Sequence, residues 1–310
     1  MQKIFDVLSD AANSCTAKHL ALSGGLDSTI LAYLLREKKP NCLAIISKDY
    51  IANDLTYSQM AAKEFGLSLS IHTYDTTQIL DAIESTIRIL GNFNDIEIRN
   101  NVVPYLAISE VKNQGYNKII TGDGADELFA GYNFLISKSE DELKKDLARI
   151  AKIMHFPSQK IGKSLGVTVE SPFCHGMVQE FAKKIPTSGL IGSHEGKKYG
   201  KFILRQAFDG LIPHAIAWRQ KSPMQEGAGT QGLTEFFNGV IPDEVFFQKI
   251  KKIKSDDMVT IRTKESLYYY ELFKKYHILD NSDSTPSCPD CHYTIEENSR
   301  FCRMCGRFPI

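Results

Sequence analysis

The chain has 310 residues, with 37 Lys and Arg balanced by 37 Asp and Glu, and its formal net charge is zero. Hydrophobic residues make up 43% and charged residues 24%, which is the composition of a folded globular chain and excludes a collagenous, mucin-like or mostly disordered one. Balanced charge argues against a bulk nucleic-acid or membrane-surface binder, and no apolar run approaches the roughly 18–20 residues of a membrane helix. The opening MQKIFDVLSDAANSC is acidic and lacks the apolar core of a signal peptide. The expectation is a soluble, cytoplasmic protein with no membrane partner, long enough for two to three domains at roughly 100–200 residues each.

In chain order, Ile4, Val7, Leu8, Ala11 and Ala12 recur at helical spacing. His19–Ser23 reads as a short buried strand, and Ser28–Lys38 as a helix with Ile30, Leu31, Leu34 and Leu35 on one side. Cys42–Ile46 is a second apolar strand. Tyr57–Phe65 is helical and stops at Gly66. Leu67–His72, the helix Val102–Val111 and the strand Lys118–Thr121 continue the alternation. Apolar strands alternating with helices predict an α/β fold, a parallel sheet covered on both faces. From about Asn133 to Tyr276 the pattern turns helical, with helices expected at Asp141–His155, Met177–Lys184, Phe202–Phe208 and Thr263–Lys275. This region reads as a mostly helical layer rather than more sheet. Lys249, Lys251, Lys252 and Lys254 read as a solvated helix or loop face, and Tyr268–Tyr270 as packing of the last helix. Asp280–Ser287 is a polar linker, and no repeat occurs at a solenoid period.

Two loops carry chemistry. Ser23-Gly24-Gly25-Leu26-Asp27-Ser28 lies between a strand and a helix, where glycines and free N–H groups favour an anion such as phosphate, and the Ser hydroxyls add donors. Asp27 would repel phosphate unless a cation such as Mg²⁺ lies between them. The plainer reading is a glycine turn with Asp27 capping the helix. No Lys follows the glycines, so the loop is not a Walker A motif. The second loop, Thr121-Gly122-Asp123-Gly124-Ala125-Asp126-Glu127, directly follows the fourth strand, and ligand sites form beyond the carboxyl ends of parallel strands. Its three carboxylates repel one another unless a metal or a proton offsets them.

These residues carry a resemblance. Ser23–Ser28 resembles the pyrophosphate loop of ATP pyrophosphatases, the PP-loop superfamily, and TGDGADELFAGY at Thr121–Tyr132 resembles a signature of the asparagine synthetase C-terminal domain. Val169–Phe173, Lys201-Phe-Ile-Leu-Arg205 and Trp218-Arg219-Gln-Lys221 resemble further motifs of that family in its own order, over roughly Phe5 to Lys275. The resemblance implies an adenine nucleotide alpha-hydrolase-like fold with a PP-loop α/β domain at 1–136 and a helical substrate-side region at 137–279. It further implies an AMP-forming amide ligase in which a carboxylate attacks the α-phosphorus of ATP and ammonia or an amine then displaces AMP. By the same resemblance Ser23, Gly24, Gly25 and Ser28 hold the phosphates. Asp27 and Asp126 bind Mg²⁺, and Leu22, Thr121 and Gly122 line the nucleotide pocket. Asp123 takes a proton from the attacking amine, and Lys221 neutralises charge at the adenylating phosphorus or the tetrahedral intermediate.

Three departures stand against this pattern. Position 2 is Gln, so the expectation is a chain without a terminal Cys nucleophile, fed by free ammonia, a separate glutaminase or another amine. Asp123 stands where asparagine-forming members carry Glu and a β-lactam-forming relative carries Tyr. Cys174-His175 stands where the family has Leu-Asp, which invites thiol chemistry beside the simpler reading of packing. Two further readings stay open: a PP-loop enzyme that adenylates a tRNA base for nitrogen or sulfur insertion, and an inactive nucleotide sensor.

Four of the seven cysteines crowd into the tail. Cys288-x-x-Cys291 and Cys302-x-x-Cys305 fit a structural Cys₄ zinc ribbon at 288–310, after the 280–287 linker. A disulfide reading conflicts with the cytoplasmic expectation. Four thiolates leave no open position, so Zn²⁺ would contribute folding energy to a module too small for its own core. His292 reads as a surface residue. Arg300, Phe301, Arg303, Arg307 and Phe308 make the ribbon basic and aromatic, which leaves contact with tRNA or a partner protein open beside the reading of a solvated rim with one buried Phe. Cys15, Cys42 and Cys174 are then free thiols.

Overall fold

A computed structural model describes residues 2–279, 286–295 and 299–310, so most of the expected linker lies outside the described residues. The chain groups into two units, one of 1–46, 52–73 and 107–223, the other of 47–51, 74–106 and 224–310.

The first unit is built on a parallel sheet. Its strands are β1 (His19–Ala21), β2 (Asn41–Ser47), β3 (Leu69–Tyr74), β4 (Lys118–Ile120) and β5 (Thr168–Glu170), in the order β3-β2-β1-β4-β5. β1 runs parallel to both β2 and β4, and β4 parallel to β5. Six of the seven residues of β2 are buried because helices cover both faces, which is why the strand reads as a continuous apolar run. The helix Gln2–Asn13 buries Ile4, Leu8, Ala11 and Ala12 in the same core as Leu20, Leu22, Ile30, Leu31, Phe129 and Phe208. β5 does not appear in the sequence reading, since three residues are too few to show alternation. The helix Pro157–Leu165, which starts on Pro and stops at Gly166, is likewise additional to the helices expected from the sequence.

The 133–276 stretch contains sheet as well as helix. β6 (Ile191–His194) and β7 (Lys197–Gly200) form an antiparallel hairpin within this mostly helical region. The expected helices at 141, 177, 202 and 263 are present as Glu140–Ile153, Gly176–Ala182, Phe202–Phe208 and Lys264–Tyr276.

The second unit is helical. The helix Thr76–Leu90 has a capping box between Asp75 and Gln78 and buries Ile79, Ala82, Ile83, Thr86, Ile87 and Leu90. Both the cap and the periodicity are present in the sequence. Phe93 packs between Tyr270 and Phe273 at 4.9 and 5.4 Å between ring centroids. Tyr269 and Tyr270 of the last long helix are fully buried, as expected of packing residues, and their hydroxyls donate to Glu265 and Asp257. The lysines at 249, 251, 252 and 254 lie on the exposed face of the helix Asp243–Asp256. Among the described residues no helix is long and apolar enough to cross a membrane.

Candidate active site

The loops after β1 and β4 meet at the carboxyl rim of the sheet. Gly24 has φ 73°, and a Cβ there would lie 2.3 Å from the Ser58 nitrogen, so only glycine lets this turn pack against the helix Asp54–Glu64. The helix Leu26–Leu35 starts after Gly25, with no side chain capping it. Asp27 is therefore not the cap. Its first-turn N–H groups stay available to an anion, beside Ser23 and Ser28, whose hydroxyls lie 3.2 Å apart. Leu22 is buried in the core, and its N–H donates to the Leu43 carbonyl at 2.9 Å. Gly122 brings the second loop against the first, with room for only 3.2 Å between a Cβ there and that of Asp27.

Asp27 and Asp126 face each other across a shared cation. Lys201 Nζ lies 2.5 Å from Asp27 Oδ2 and 2.6 Å from Asp126 Oδ1, and Lys221 Nζ lies 2.6 Å from Asp126 Oδ2. Burial works against the charge of Asp126, but the two ammonium groups outweigh it and hold the carboxyl well below the ordinary range. Lys221 is raised by the same pairing, with Asp126 and Asp27 overcoming its own burial. Asp27 Oδ1 is buried and accepts no hydrogen bond among the described residues. That free oxygen, with Asp126 opposite, suits a hard divalent cation such as Mg²⁺.

Asp123 sits one residue beyond Gly122. Its Oδ2 accepts from Ser158 Oγ at 2.6 Å and Thr121 Oγ1 at 2.8 Å. Burial, and then the charge of Asp126, push this carboxyl upward despite those hydrogen bonds. Glu127 is raised too, chiefly by burial, and accepts from Tyr132 Oη at 2.5 Å. Cys174 Sγ lies 3.3 Å from the Asp123 carbonyl oxygen, and burial with the Asp123 and Glu127 charges pushes its thiol up to about 12. Burial that disfavours the thiolate supports the packing reading over thiol chemistry. His175 caps the helix Gly176–Ala182 through Nδ1 and the Met177 N–H.

A family model described as asparagine synthase matches residues 17–155 and 137–273, and so takes in every residue of this rim. This chain belongs to the asparagine synthase family. The glutamine-hydrolysing asparagine synthetase 1 of Saccharomyces cerevisiae is 29% identical over 238 residues, 71% of this chain and 41% of that protein. The glutamine-hydrolysing asparagine synthetase B of Escherichia coli is 25% identical over 292 residues, 87% of this chain and 51% of that protein. The chain thus spans about half the length, or less, of these curated relatives. Among solved structures, the NMN synthetase of Francisella tularensis aligns over 89% of this chain and 92% of that chain, at 15% identity and a TM-score of 0.40.

Within this synthase domain, Lys201 and Arg205 are motif residues to which the resemblance alone assigns no role. Lys201 bridges the two carboxylates. Arg205 is buried, and donates from Nε to the Gly200 carbonyl at 3.0 Å and from its terminal nitrogen to the Ala217 and Arg219 carbonyls at 2.5 and 3.0 Å. It therefore ties the end of β7 to the segment that carries Lys221. Arg219 extends that hold, lying 3.3 Å from Asp54 Oδ1 and 3.8 Å over the Tyr57 ring. The signal available was the spacing of two basic residues in one short motif.

The tail brings its four cysteines together. Cys288 and Cys305 sulfurs are 3.6 Å apart, as are those of Cys291 and Cys302, and all four lie within 4.8 Å of one another. A tetrahedral ion bound at about 2.3 Å requires roughly 3.8 Å between sulfurs, so the four thiols can hold one Zn²⁺. The Cys288 sulfur also accepts from the Asp290 N–H at 3.4 Å. His292 is not in this group. Within the second unit, Phe93 N–H donates to the Met304 carbonyl at 2.9 Å, and Arg262 pairs with the buried Asp290 at 2.6 Å. Phe301 is half-buried and Phe308 exposed, so neither is the single buried Phe expected.

Proposed function

We propose that this chain is an ATP-dependent, AMP-forming amide ligase. The observation that carries the reading is the meeting, at one rim, of an uncapped helix N-terminus with its Ser-Gly loop and the Asp27–Lys201–Asp126–Lys221 charge cluster. Ser23, Gly24, Gly25 and Ser28 take the phosphates of ATP, with Leu22, Thr121 and Gly122 beside the nucleotide. Asp27 and Asp126 are the residues that would hold Mg²⁺, which supplies charge neutralisation on the phosphate oxygens.

In the first half-reaction an oxygen of the substrate carboxylate forms a bond to the α-phosphorus, and the bond to pyrophosphate breaks. Lys221, and Lys201 beside it, offset the negative charge that builds on the transferring group. In the second, ammonia or an amine bonds to the acyl carbon and AMP departs with the carboxylate oxygen. Asp123 accepts the proton that the nitrogen must lose. Burial raises Asp123, which brings its basicity closer to what proton removal near neutral pH requires. In this reading the Cys₄ group holds a structural Zn²⁺, and a cytoplasmic setting agrees with seven cysteines none of which is paired in a disulfide.

The experiment offers purified protein Mg-ATP with aspartate and ammonia, with a panel of other carboxylates and amines, and with bulk tRNA, and measures AMP and pyrophosphate. Carboxylate-dependent release that is abolished by Lys221→Met supports the reading. Turnover with tRNA alone, or full pyrophosphate exchange by Lys221→Met, overturns it.

A further inference from the structure

The β6–β7 hairpin carries a cluster that the amide-ligase chemistry leaves unused. His194 ends β6 and Lys197 begins β7, so Glu195 and Gly196 form a two-residue turn with φ values of 50° and 75°. Such turns favour Asn-Gly or Asp-Gly, and a Glu in this left-handed conformation is uncommon. The turn sets His194 and Glu195 beside His214, the first residue of the helix His214–Ala217. One nitrogen from each imidazole and one Glu195 oxygen all lie within 4.8 Å of one another.

Both imidazoles are oriented. His194 stacks on the Trp218 indole at 3.6 Å between centroids and 10° between planes. Its Nε2 is buried and makes no hydrogen bond among the described residues, with the nearest Glu195 oxygen 3.9 Å away. His214 Nδ1 lies 3.3 Å from Asp209 Oδ1. A carboxylate on one ring nitrogen selects the tautomer whose other nitrogen carries a lone pair, the arrangement that metal-binding histidines use. Ligand atoms at about 2.0–2.2 Å from one ion sit roughly 3–3.5 Å apart. Glu195 is 76% and His214 64% exposed at the side chain, so both can move the remaining distance while His194 stays packed.

We propose that His194, His214 and Glu195 form a metal site separate from the Cys₄ group, taking a borderline divalent ion of the Zn²⁺ or Cu²⁺ kind, with Asp209 as the outer partner of His214. Two imidazoles and a single carboxylate select such ions over Mg²⁺ or Ca²⁺, which prefer oxygen alone. Three protein ligands leave a position open to water or a small ligand. The ion would tie the hairpin turn to the helix that leads directly into Trp218–Lys221.

The test titrates the full-length chain, with its Cys₄ group already loaded, with Zn²⁺ against a competing chelator dye, and repeats the titration with Co²⁺ by visible spectroscopy. The expected result is a second equivalent of metal, whose Co²⁺ spectrum lacks thiolate charge transfer. Glu195→Gln and His214→Ala, both at exposed positions, should each weaken that equivalent about tenfold or more, leaving the Cys₄ equivalent unchanged. His194→Gln should do the same, but the exposed pair decides the question because His194 packs on Trp218. A wild-type protein that takes up no second equivalent, or a second equivalent that survives both exposed substitutions unweakened, overturns the proposal.

Discussion

Gly131 tests whether the charge cluster is held by close packing. A Cβ at this position would lie 2.0 Å from Asp126 Oδ1 and 2.2 Å from Lys201 Cε. Real Cβ contacts do not fall below 3.0 Å, so a Gly131→Ala substitution must displace the carboxylate or the lysine stem by about an ångström. Neither has slack. Gly131 N–H donates to the Asp126 carbonyl at 2.8 Å, Lys201 N–H donates to the Phe129 carbonyl at 2.9 Å, and Lys221 holds the other side of the carboxylate. The φ of Gly131 is not in the left-handed region, so the penalty is steric and not conformational. Overpacking of this kind costs about 1–3 kcal/mol, and a misplacement of about 1 Å at reacting groups lowers turnover about 100-fold. Urea unfolding should therefore show a loss of about 1–3 kcal/mol, and ATP-dependent AMP release should fall about two orders of magnitude. Gly176→Ala is the control, because a Cβ there meets nothing within 4 Å. If Gly131→Ala matched wild type in both stability and turnover, the cluster would not be sterically fixed and the reasoning would fail.

The raised Asp123 makes a pH prediction. A base works only when ionised, so amide formation should fail on acidification at a pH above the ordinary carboxylate range, compared at constant free-amine concentration. Ser158→Ala removes a hydrogen bond that favours the ionised form and should move that acid limb higher still, while an unmoved limb would assign it to another group. Raising the Cys174 thiol from 9.0 to about 12 lowers its thiolate fraction at pH 8 by roughly 10³, so iodoacetamide should alkylate it about a thousandfold more slowly than a free thiol. Rapid labelling of Cys174 in the native protein would restore the nucleophile reading. Cys302→Ser should abolish the zinc equivalent proposed for the Cys₄ group and lower the thermal midpoint, read by metal analysis and circular dichroism. An unchanged midpoint would mean that the contacts of Met304 and Asp290 contribute nothing to the second unit.

Much of the fold was legible because buried parallel strands leave contiguous apolar runs. Cys42–Ile46 sits inside the observed Asn41–Ser47, and the helix expected at Phe202–Phe208 has those limits in the structure. What escaped did so for identifiable reasons. β5 is three residues long and is recruited by β4, a contact between residues some 50 positions apart that no local pattern encodes. The β6–β7 hairpin turns on Glu-Gly, a weaker signal than Asn-Gly, and its strands are only four residues each. Thr76–Leu90 was a different failure, since its capping residue, its periodicity and its terminal Gly91 are all present in the sequence.

The acids of the charge cluster and Lys221 stand out in the sequence, while the place of Lys201 among them does not. Asp27 and Asp126 stood out because carboxylates beside a phosphate loop need a counter-charge, and Mg²⁺ was the cation that reasoning supplied. The structure adds a second source, Lys201, which lies 174 residues from Asp27 in sequence and 2.5 Å from it in space. Two ammonium groups against two carboxylates make that inner cluster neutral as built, while Asp123 and Glu127 beside it are pushed by burial toward their uncharged forms. A neutral cluster cannot by itself attract a nucleotide polyphosphate. In the proposed reading the anion is drawn instead by the N–H groups of the Ser23–Ser28 turn and brings a divalent cation with it, for which Asp27 Oδ1 would be one ligand. In the same way the formal net charge of zero says little about what the chain binds, because the charges that matter cancel locally before any ligand arrives.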